Sequence, residues 1–108
     1  MPKTVYSHDR QVEGWSNYDT WAVNLFAMND RSFYETRFMP MVRQVLKYDA
    51  AGRMDRERAI NGFIRVAKDA ARMARSHGEH IVNSQVNWRE IGGAWLNDAI
   101  TNYKVHGV

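Results

Sequence analysis

Apolar residues recur at helical spacing in four stretches of the chain, and no stretch shows the strict alternation of a β-strand. The first stretch runs from about Ser16 to Met28, and Ser16 and Asp19 have the spacing of a capping box at its start. The last stretch begins at Asn87, where Asn87 and Glu90 repeat that spacing. The pattern predicts an all-α fold.

The second stretch, over about residues 31–48, has an apolar seam that keeps its phase across a proline. Pro40 lacks the amide that would bond the Thr36 carbonyl, and proline disfavours helix in the residue before it. We therefore expect one kinked helix or two abutting helices here, and a compact bundle of four to five helices overall. The seam consists of Tyr34, Phe38, Met41, Val45 and Tyr48.

The third stretch, over about residues 55–77, is apolar along one half of its surface and is followed by Gly78, which suits the left-handed turn after a helix. In the last stretch Gly92 lies in the middle of the apolar face, where glycine costs about 1 kcal/mol relative to alanine. We expect close approach of another backbone at Gly92 to offset this cost. Three tryptophans on apolar faces are predicted to be core residues: Trp21, Trp88 and Trp95.

The length of 108 residues fits one domain. Residues 1–14 are polar and lack a period, so we expect a flexible N-terminal arm there and a single helical domain over residues 15–108. Cysteine is absent, which excludes disulfides, a thiol nucleophile and thiolate metal sites. No apolar run approaches the ~20 residues of a membrane span, and no secretory signal is visible, so we expect a cytoplasmic protein without a membrane partner.

The net charge is only +3, but the basic excess is concentrated in the middle of the chain. On the third predicted helix five basic residues fall within about 100° of arc, beside the apolar half. Such a surface suits phosphates or an acidic patch of a partner protein, whereas a solvated helix face without a partner is the alternative. We call this surface the cationic stripe, and its residues are the predicted partner-binding site: Arg58, Arg65, Lys68, Arg72 and Arg75.

Candidate catalytic chemistry is sparse. The chain has no glycine-rich phosphate loop, no nucleophile elbow and no zinc-protease motif, so we expect neither enzymatic activity nor a cofactor. His77, Glu79 and His80 lie close together, but the predicted helix end at Gly78 separates them and no fourth ligand is in sight. No metal site is predicted.

Two sequence motifs stand near the two ends of the chain. Residues 17–25 read NYDTWAVNL and residues 86–91 read VNWREI. As a pair these motifs resemble a family of short, uncharacterised phage and mobile-element proteins, whose members tend to show N-Y-[DE]-T-W near the start and V-N-W-R-E-[IL] near the end. Each motif joins a polar helix cap to a tryptophan, so we expect the two motifs to pack together and to tie the ends of the domain.

The resemblance implies a phage or mobile-element setting, where small helical proteins often bind and block host machinery. The first hypothesis is therefore an accessory protein that binds a host protein or protein–nucleic-acid complex, such as an anti-CRISPR or anti-restriction inhibitor. The alternative is a basic nucleic-acid-binding helical module that uses the same stripe. A homodimer is compatible with both, because four small residues could form a close-packed seam: Ala67, Ala70, Ala71 and Ala74.

Overall fold

The computed structural model describes residues 12–103, which form helices and no β-strand. The expectation of an all-α bundle is confirmed. A π-helical turn, Tyr34–Phe38, joins the second and third helices into one segment, so the bundle has four helical segments. The helices are α1 (Tyr18–Asn29), α2 (Arg31–Phe33), α3 (Met39–Ala50), α4 (Arg56–Ser76) and α5 (Trp88–Asp98).

The predicted flexible arm falls mostly on residues 1–11, which lie outside the described part of the chain, as do residues 104–108. The last part of that predicted arm is a tight turn, in which Val12 and Trp15 exchange two backbone hydrogen bonds of 3.0 and 2.8 Å. Gly14 occupies the left-handed region with a φ of 87°, as the turn requires. The Trp15 ring packs against the hydrophobic core, so the described domain begins with this turn.

The second helical segment runs through Pro40 without a break. Phe38 and Met39 both have right-handed helical dihedrals, and the Met39 amide bonds the Tyr34 carbonyl five residues earlier. The proline ring would clash with the carbonyl of Thr36 in a regular α-helix, and the longer repeat of the π turn accommodates it. Of the two expected arrangements, the structure therefore has one helix, with a π turn directly before the proline.

Helix α4 is the central element, and α5 and α1 cover its apolar half. The four alanines proposed as a dimer seam lie in this covered half and are each 0% exposed. The seam prediction is therefore wrong: small residues let helices approach closely, but α1 and α5 of the same chain use that approach. The four are Ala67, Ala70, Ala71 and Ala74.

Aromatic rings fill the centre of the bundle. Phe38 is fully buried, and its ring makes edge contacts with Trp95 at 5.2 Å and a tilted contact with Phe63 at 6.0 Å between centroids. Trp95 is only 3% exposed, as expected of a core residue. Trp21 and Trp88 pack against the core but remain partly exposed, so the core prediction holds fully only for Trp95.

Two phenols connect the second helical segment to the π-helical turn Ala99–Tyr103 that continues α5. The hydroxyl of Tyr34 forms a hydrogen bond with that of Tyr103 beside the aromatic centre. Burial raises the pKa of Tyr103, and the hydrogen bond to Tyr34 raises it further. The Tyr103 phenol therefore stays neutral over the physiological pH range.

Polar side chains at the start of α1 bond the irregular connector that precedes α5. The Asp19 carboxylate accepts a 3.1 Å hydrogen bond from the Val82 amide, and the Thr20 hydroxyl accepts one of 2.9 Å from the Asn87 amide. Both Asp19 and Thr20 are 0% exposed. Because a buried amide without a partner is costly, these two side chains fix the connector against α1.

The same region explains why neither predicted capping box closes within its own helix. Asn17, rather than Ser16, is the N-cap of α1, and its Nδ2 also donates a 2.6 Å bond to the Gln85 carbonyl. Asn87 caps α5 as predicted, but the Glu90 carboxylate accepts from the Ser16 hydroxyl at 2.7 Å. Polar residues in and beside the two motifs thus bond across the domain, and the expected packing of the motifs is present.

At Gly92 the backbone of α5 lies close to that of α4, as the sequence predicts. A Cβ atom on Gly92 would lie 2.9 Å from the Ile60 carbonyl oxygen and 3.0 Å from side-chain atoms of Ile60 and Ile64 on α4. A Cβ on the neighbouring Gly93 would meet nothing within 4 Å. Only the first of these two adjacent glycines is required by packing.

We expect Gly92→Ala to lower the free energy of unfolding by about 1–3 kcal/mol, because the added methyl forces α5 away from the α4 backbone. Gly93→Ala is the matched control, and we expect it to raise that free energy by up to about 1 kcal/mol through helix propensity alone. Urea unfolding followed by circular dichroism measures both. Equal effects of the two substitutions would contradict the close-packing explanation.

Thr20→Val removes the hydroxyl that accepts from the Asn87 amide but keeps the side-chain shape. We expect a loss of about 1–3 kcal/mol in the free energy of unfolding, since the amide loses its partner. Thr36→Val is the control, because Thr36 is exposed and bonds only the Ser32 carbonyl within its own helix. A change at Thr36 beyond about 0.5 kcal/mol, or none at Thr20, would argue against the role given to this contact.

Candidate functional site

All five residues of the cationic stripe lie exposed on the solvent side of α4. The stripe begins in the first turn, where Asp55 caps the helix by accepting from the Arg58 amide at 3.0 Å. It ends one turn before Gly78, whose φ of 95° terminates the helix as predicted. From Arg58 to Arg75 the stripe extends about 25 Å along the axis, at ~1.5 Å per residue.

The C-terminal part of the stripe is engaged by side chains of the same chain. Arg72 forms an ion pair with Asp69, one turn away on the same helix. The Arg75 Nη1 donates a 2.7 Å hydrogen bond to the Asn83 Oδ1 in the connector. Both cations remain exposed, but each already has a polar partner.

The edge of the stripe that faces α5 is also engaged. The Lys68 Nζ lies 5.6 Å from the centroid of the Trp88 ring, in cation–π geometry. Near the start of α4, Glu57 receives two hydrogen bonds from Arg89 at 3.1 and 2.9 Å. This bidentate pair joins α5 to the border of the stripe.

The N-terminal part of the stripe has no such partners. Among the described residues, no carboxylate forms an ion pair with Arg58 or Arg65. Both residues line a groove between α3 and α4, together with Arg53 from the loop that joins these helices. Asp55, whose carboxylate caps α4, is the acidic residue in this lining. The rim of the groove is therefore strongly cationic.

The floor and outer wall of this groove are apolar. Met41 and Val45 from α3 and Met54 from the loop form the floor, and Tyr48, which is 47% exposed, forms the outer wall. The cavity has a volume of about 220 Å³. We call it the α3–α4 groove.

Sequence reasoning placed Arg58 and Arg65 on the stripe but missed the groove beside them. Tyr48 was predicted to belong to the apolar seam of the second segment, yet its side chain is largely exposed. The first turn of α4, residues 56–58, contains only charged residues, so Tyr48 finds no apolar partner there. The apolar seam of the second segment extends to Tyr48, beyond the point where the apolar face of α4 begins. This mismatch is the sequence signal that could have revealed the groove.

A second apolar surface lies on α1, around Trp21, which the sequence predicted to be a core residue. Leu25 is 40% exposed, and together with Trp21 and Phe26 it lines a shallow depression of about 340 Å³. Two carboxylates, Asp30 and Glu79, stand at its edge. This surface therefore has the opposite charge to the α3–α4 groove.

One histidine of the cluster at the end of α4, His77, packs against α1. The His77 ring contacts the edge of Phe26, with 5.4 Å between centroids. Within residues 12–103, no group of three or more His, Cys, Asp or Glu side chains is arranged to hold a metal ion. None of the helices in that range is both long enough and apolar enough to cross a bilayer.

Comparison of the chain with protein-family models, with curated proteins and with solved structures gives no match. The resemblance to phage and mobile-element proteins therefore rests on the two motifs alone. What the structure adds to it is the 2.9 Å hydrogen bond that the Thr20 hydroxyl of the first motif accepts from the Asn87 amide of the second.

The ion pair beside the stripe predicts a pH-dependent contribution to stability. The hydrogen bond from Arg89 and its charge lower the pKa of Glu57 below its ordinary value. The unfolded chain then binds a proton at Glu57 before the folded chain does. The contribution of the pair is present above the unfolded pKa and is lost as the pH falls through the lower folded pKa.

We therefore expect the protein to be more stable than its Glu57→Gln variant at neutral pH, with the difference shrinking as acid protonates Glu57. Urea unfolding of both proteins at a series of pH values measures this difference. High salt at neutral pH should reduce it as well, because both partners are exposed. A difference that is independent of pH would rule out the ion pair as its cause.

Proposed function

We propose that the protein is a binding protein without enzymatic activity, which attaches through its cationic stripe to an acidic surface of a host protein. The observation that carries the proposal is the row of exposed cations on α4, of which Arg58 and Arg65 have no acidic partner within the described chain. Unpaired guanidiniums on a rigid helix are suited to paired contacts with carboxylates.

The rigidity of the stripe supports recognition of a structured partner. Helix α4 is held on its other face by α1 and α5, so its outward side chains start from a fixed backbone. A preordered surface pays less conformational entropy on association than a flexible one. The stripe is also long enough, at about 25 Å, to contact a folded surface along several helical turns.

The distribution of aromatic residues favours a protein partner over a nucleic acid. Single-strand binding requires open aromatic faces next to the basic residues. Phe63 is the one aromatic residue of α4 and is 0% exposed, and Lys68 already lies over the ring of Trp88. Tyr48 is an exposed ring beside Arg58, but a single ring does not form the row of stacking faces that successive bases need. The basic nucleic-acid-binding module is therefore the second candidate, which the experiment below distinguishes.

The setting of this proposal comes from the motif resemblance. Small proteins of phages and mobile elements act in the cytoplasm of the host cell, and an anti-defence inhibitor of a CRISPR or restriction complex is the role we propose there. The chain is basic, with a net charge of +3, so it would not act as an acidic mimic of DNA. It would instead cover an acidic surface of its target.

Affinity capture tests the proposal. Tagged protein is incubated with nuclease-treated lysate of a bacterium that carries restriction and CRISPR systems, and bound proteins are identified by mass spectrometry. We expect a partner that is lost, by about tenfold or more, with Arg65→Glu combined with Arg72→Glu. The matched control, Arg43→Glu with Lys47→Glu, makes the same charge change at exposed positions of α3 and should keep the partner.

A restricted phage should also form more plaques on cells that express the protein. The Arg65/Arg72 variant should lose this effect, and the α3 control should keep it. Capture that is unchanged by reversal of the stripe, together with no gain in plating, would overturn the proposal. The nucleic-acid module would be favoured instead if the protein retains DNA or RNA in a filter assay. This retention would have to fall steeply with salt and to require Arg65.

A further inference from the structure

We propose that the α3–α4 groove recognises a short acidic segment of the partner that carries one large apolar anchor residue. The inference rests on the proposed function, because it names the part of the cationic stripe that selects the partner. It differs from general docking on the stripe by requiring an apolar side chain in addition to negative charge.

The charge of the rim selects an acidic ligand. Arg53, Arg58 and Arg65 all line the groove, and none has an ion-pair partner among the described residues. The carboxylate of Asp55 is turned to the α4 backbone, where it accepts from the Arg58 amide. A ligand that brings two or three carboxylates would complement this rim, since guanidiniums bind carboxylates through paired hydrogen bonds.

The position of Arg65 links the rim to the floor. Its Nη2 lies 3.9 Å from the place of a Cβ on Gly62, and the Met41 side chain lies closer to the same place. Both side chains therefore reach the surface of α4 at Gly62. A ligand residue that packs on Met41 would have its neighbouring carboxylate within reach of Arg65.

The floor of the groove can accommodate apolar anchor residues of different shapes. Met41 and Met54 are partly buried and supply unbranched, polarisable side chains, and Val45 closes the bottom at 2% exposure. Methionine-lined surfaces adapt to different apolar groups and contact aromatic rings well. Tyr48 stands at the open side, where an anchor would cover its exposed ring.

The size of the groove restricts the ligand to one anchor. Cavities that enclose drug-sized molecules measure about 300–1,000 Å³. The volume of about 220 Å³ is below that range, so it accommodates a single large side chain rather than a whole nucleotide. The rest of an acidic segment would then lie along the rim.

Nuclear magnetic resonance titration of the isotope-labelled full chain tests this inference. The probe is a nonapeptide with a central tryptophan flanked by aspartate and glutamate. Two matched peptides replace the tryptophan by serine or the acids by lysine. We expect the first peptide to shift signals of Met41, Val45 and Met54, the serine peptide to bind about tenfold more weakly, and the lysine peptide not to bind.

Substitutions in the groove show which of its residues contribute to the affinity for the tryptophan peptide. Arg58→Glu should weaken the tryptophan peptide about tenfold and Tyr48→Ala about fivefold, whereas Arg43→Glu, at an exposed position of α3 outside the groove, should stay within about twofold. Arg58→Glu places an acid in the first turn of α4, which favours the helix, and the spectrum of each variant reports whether it is folded. The Arg43→Glu control separates binding in the groove from a general effect of added negative charge.

Four results would overturn the inference. They are equal affinity for the tryptophan and serine peptides, no binding of either peptide, tighter binding of a thymidine oligonucleotide at the same residues, and concentration-dependent shifts at the groove without peptide, which would indicate a second copy. The first two leave the proposed function standing if capture of a host protein still depends on Arg65 and Arg72. Loss of that dependence would overturn the proposed function even if the peptide binds.

Discussion

The fold depends on one set of contacts, in which polar side chains at the start of α1 satisfy the backbone of the connector before α5. Residues 79–87 contain only a single 3₁₀ turn, Asn83–Gln85, so much of their backbone lacks partners within regular structure. Asp19 and Thr20 supply two of those partners, to the amides of Val82 and Asn87, from a fully buried position. Buried polar groups of this kind are stabilising only when they are paired, which makes this contact specific to one arrangement of the chain.

This arrangement decides which face of α4 is available. With the connector held on α1, helices α1 and α5 both lie on the apolar half of α4, and the alanines there are fully buried. The basic half is left facing solvent. The short loop after α3 then brings Arg53 and Tyr48 beside the first turns of α4, so the groove is a product of chain connectivity as much as of the helix pattern.

The sequence predicted the helices well, but it did not predict which polar side chains form hydrogen bonds across the domain. Helical periodicity, the Asn87 cap, the Gly78 terminator and the need for glycine at position 92 all depend on neighbours within a few residues or on volume. The capping boxes were misread because local spacing cannot reveal that Glu90 bonds Ser16 at the other end of the chain. The cationic stripe followed from helical geometry, whereas the groove required knowledge of what packs beside residue 48.

The distance along the chain between hydrogen-bonded partners has a consequence for biosynthesis. Asp19 bonds an amide 63 residues further on, and Ser16 bonds a carboxylate 74 residues further on. Contacts of such separation close late, since the intervening chain must first be ordered. The nascent protein therefore leaves the ribosome with its first helix unsatisfied until the chain through Glu90 has emerged. An interrupted translation product lacking α5 would expose the apolar half of α4 to aggregation and proteolysis.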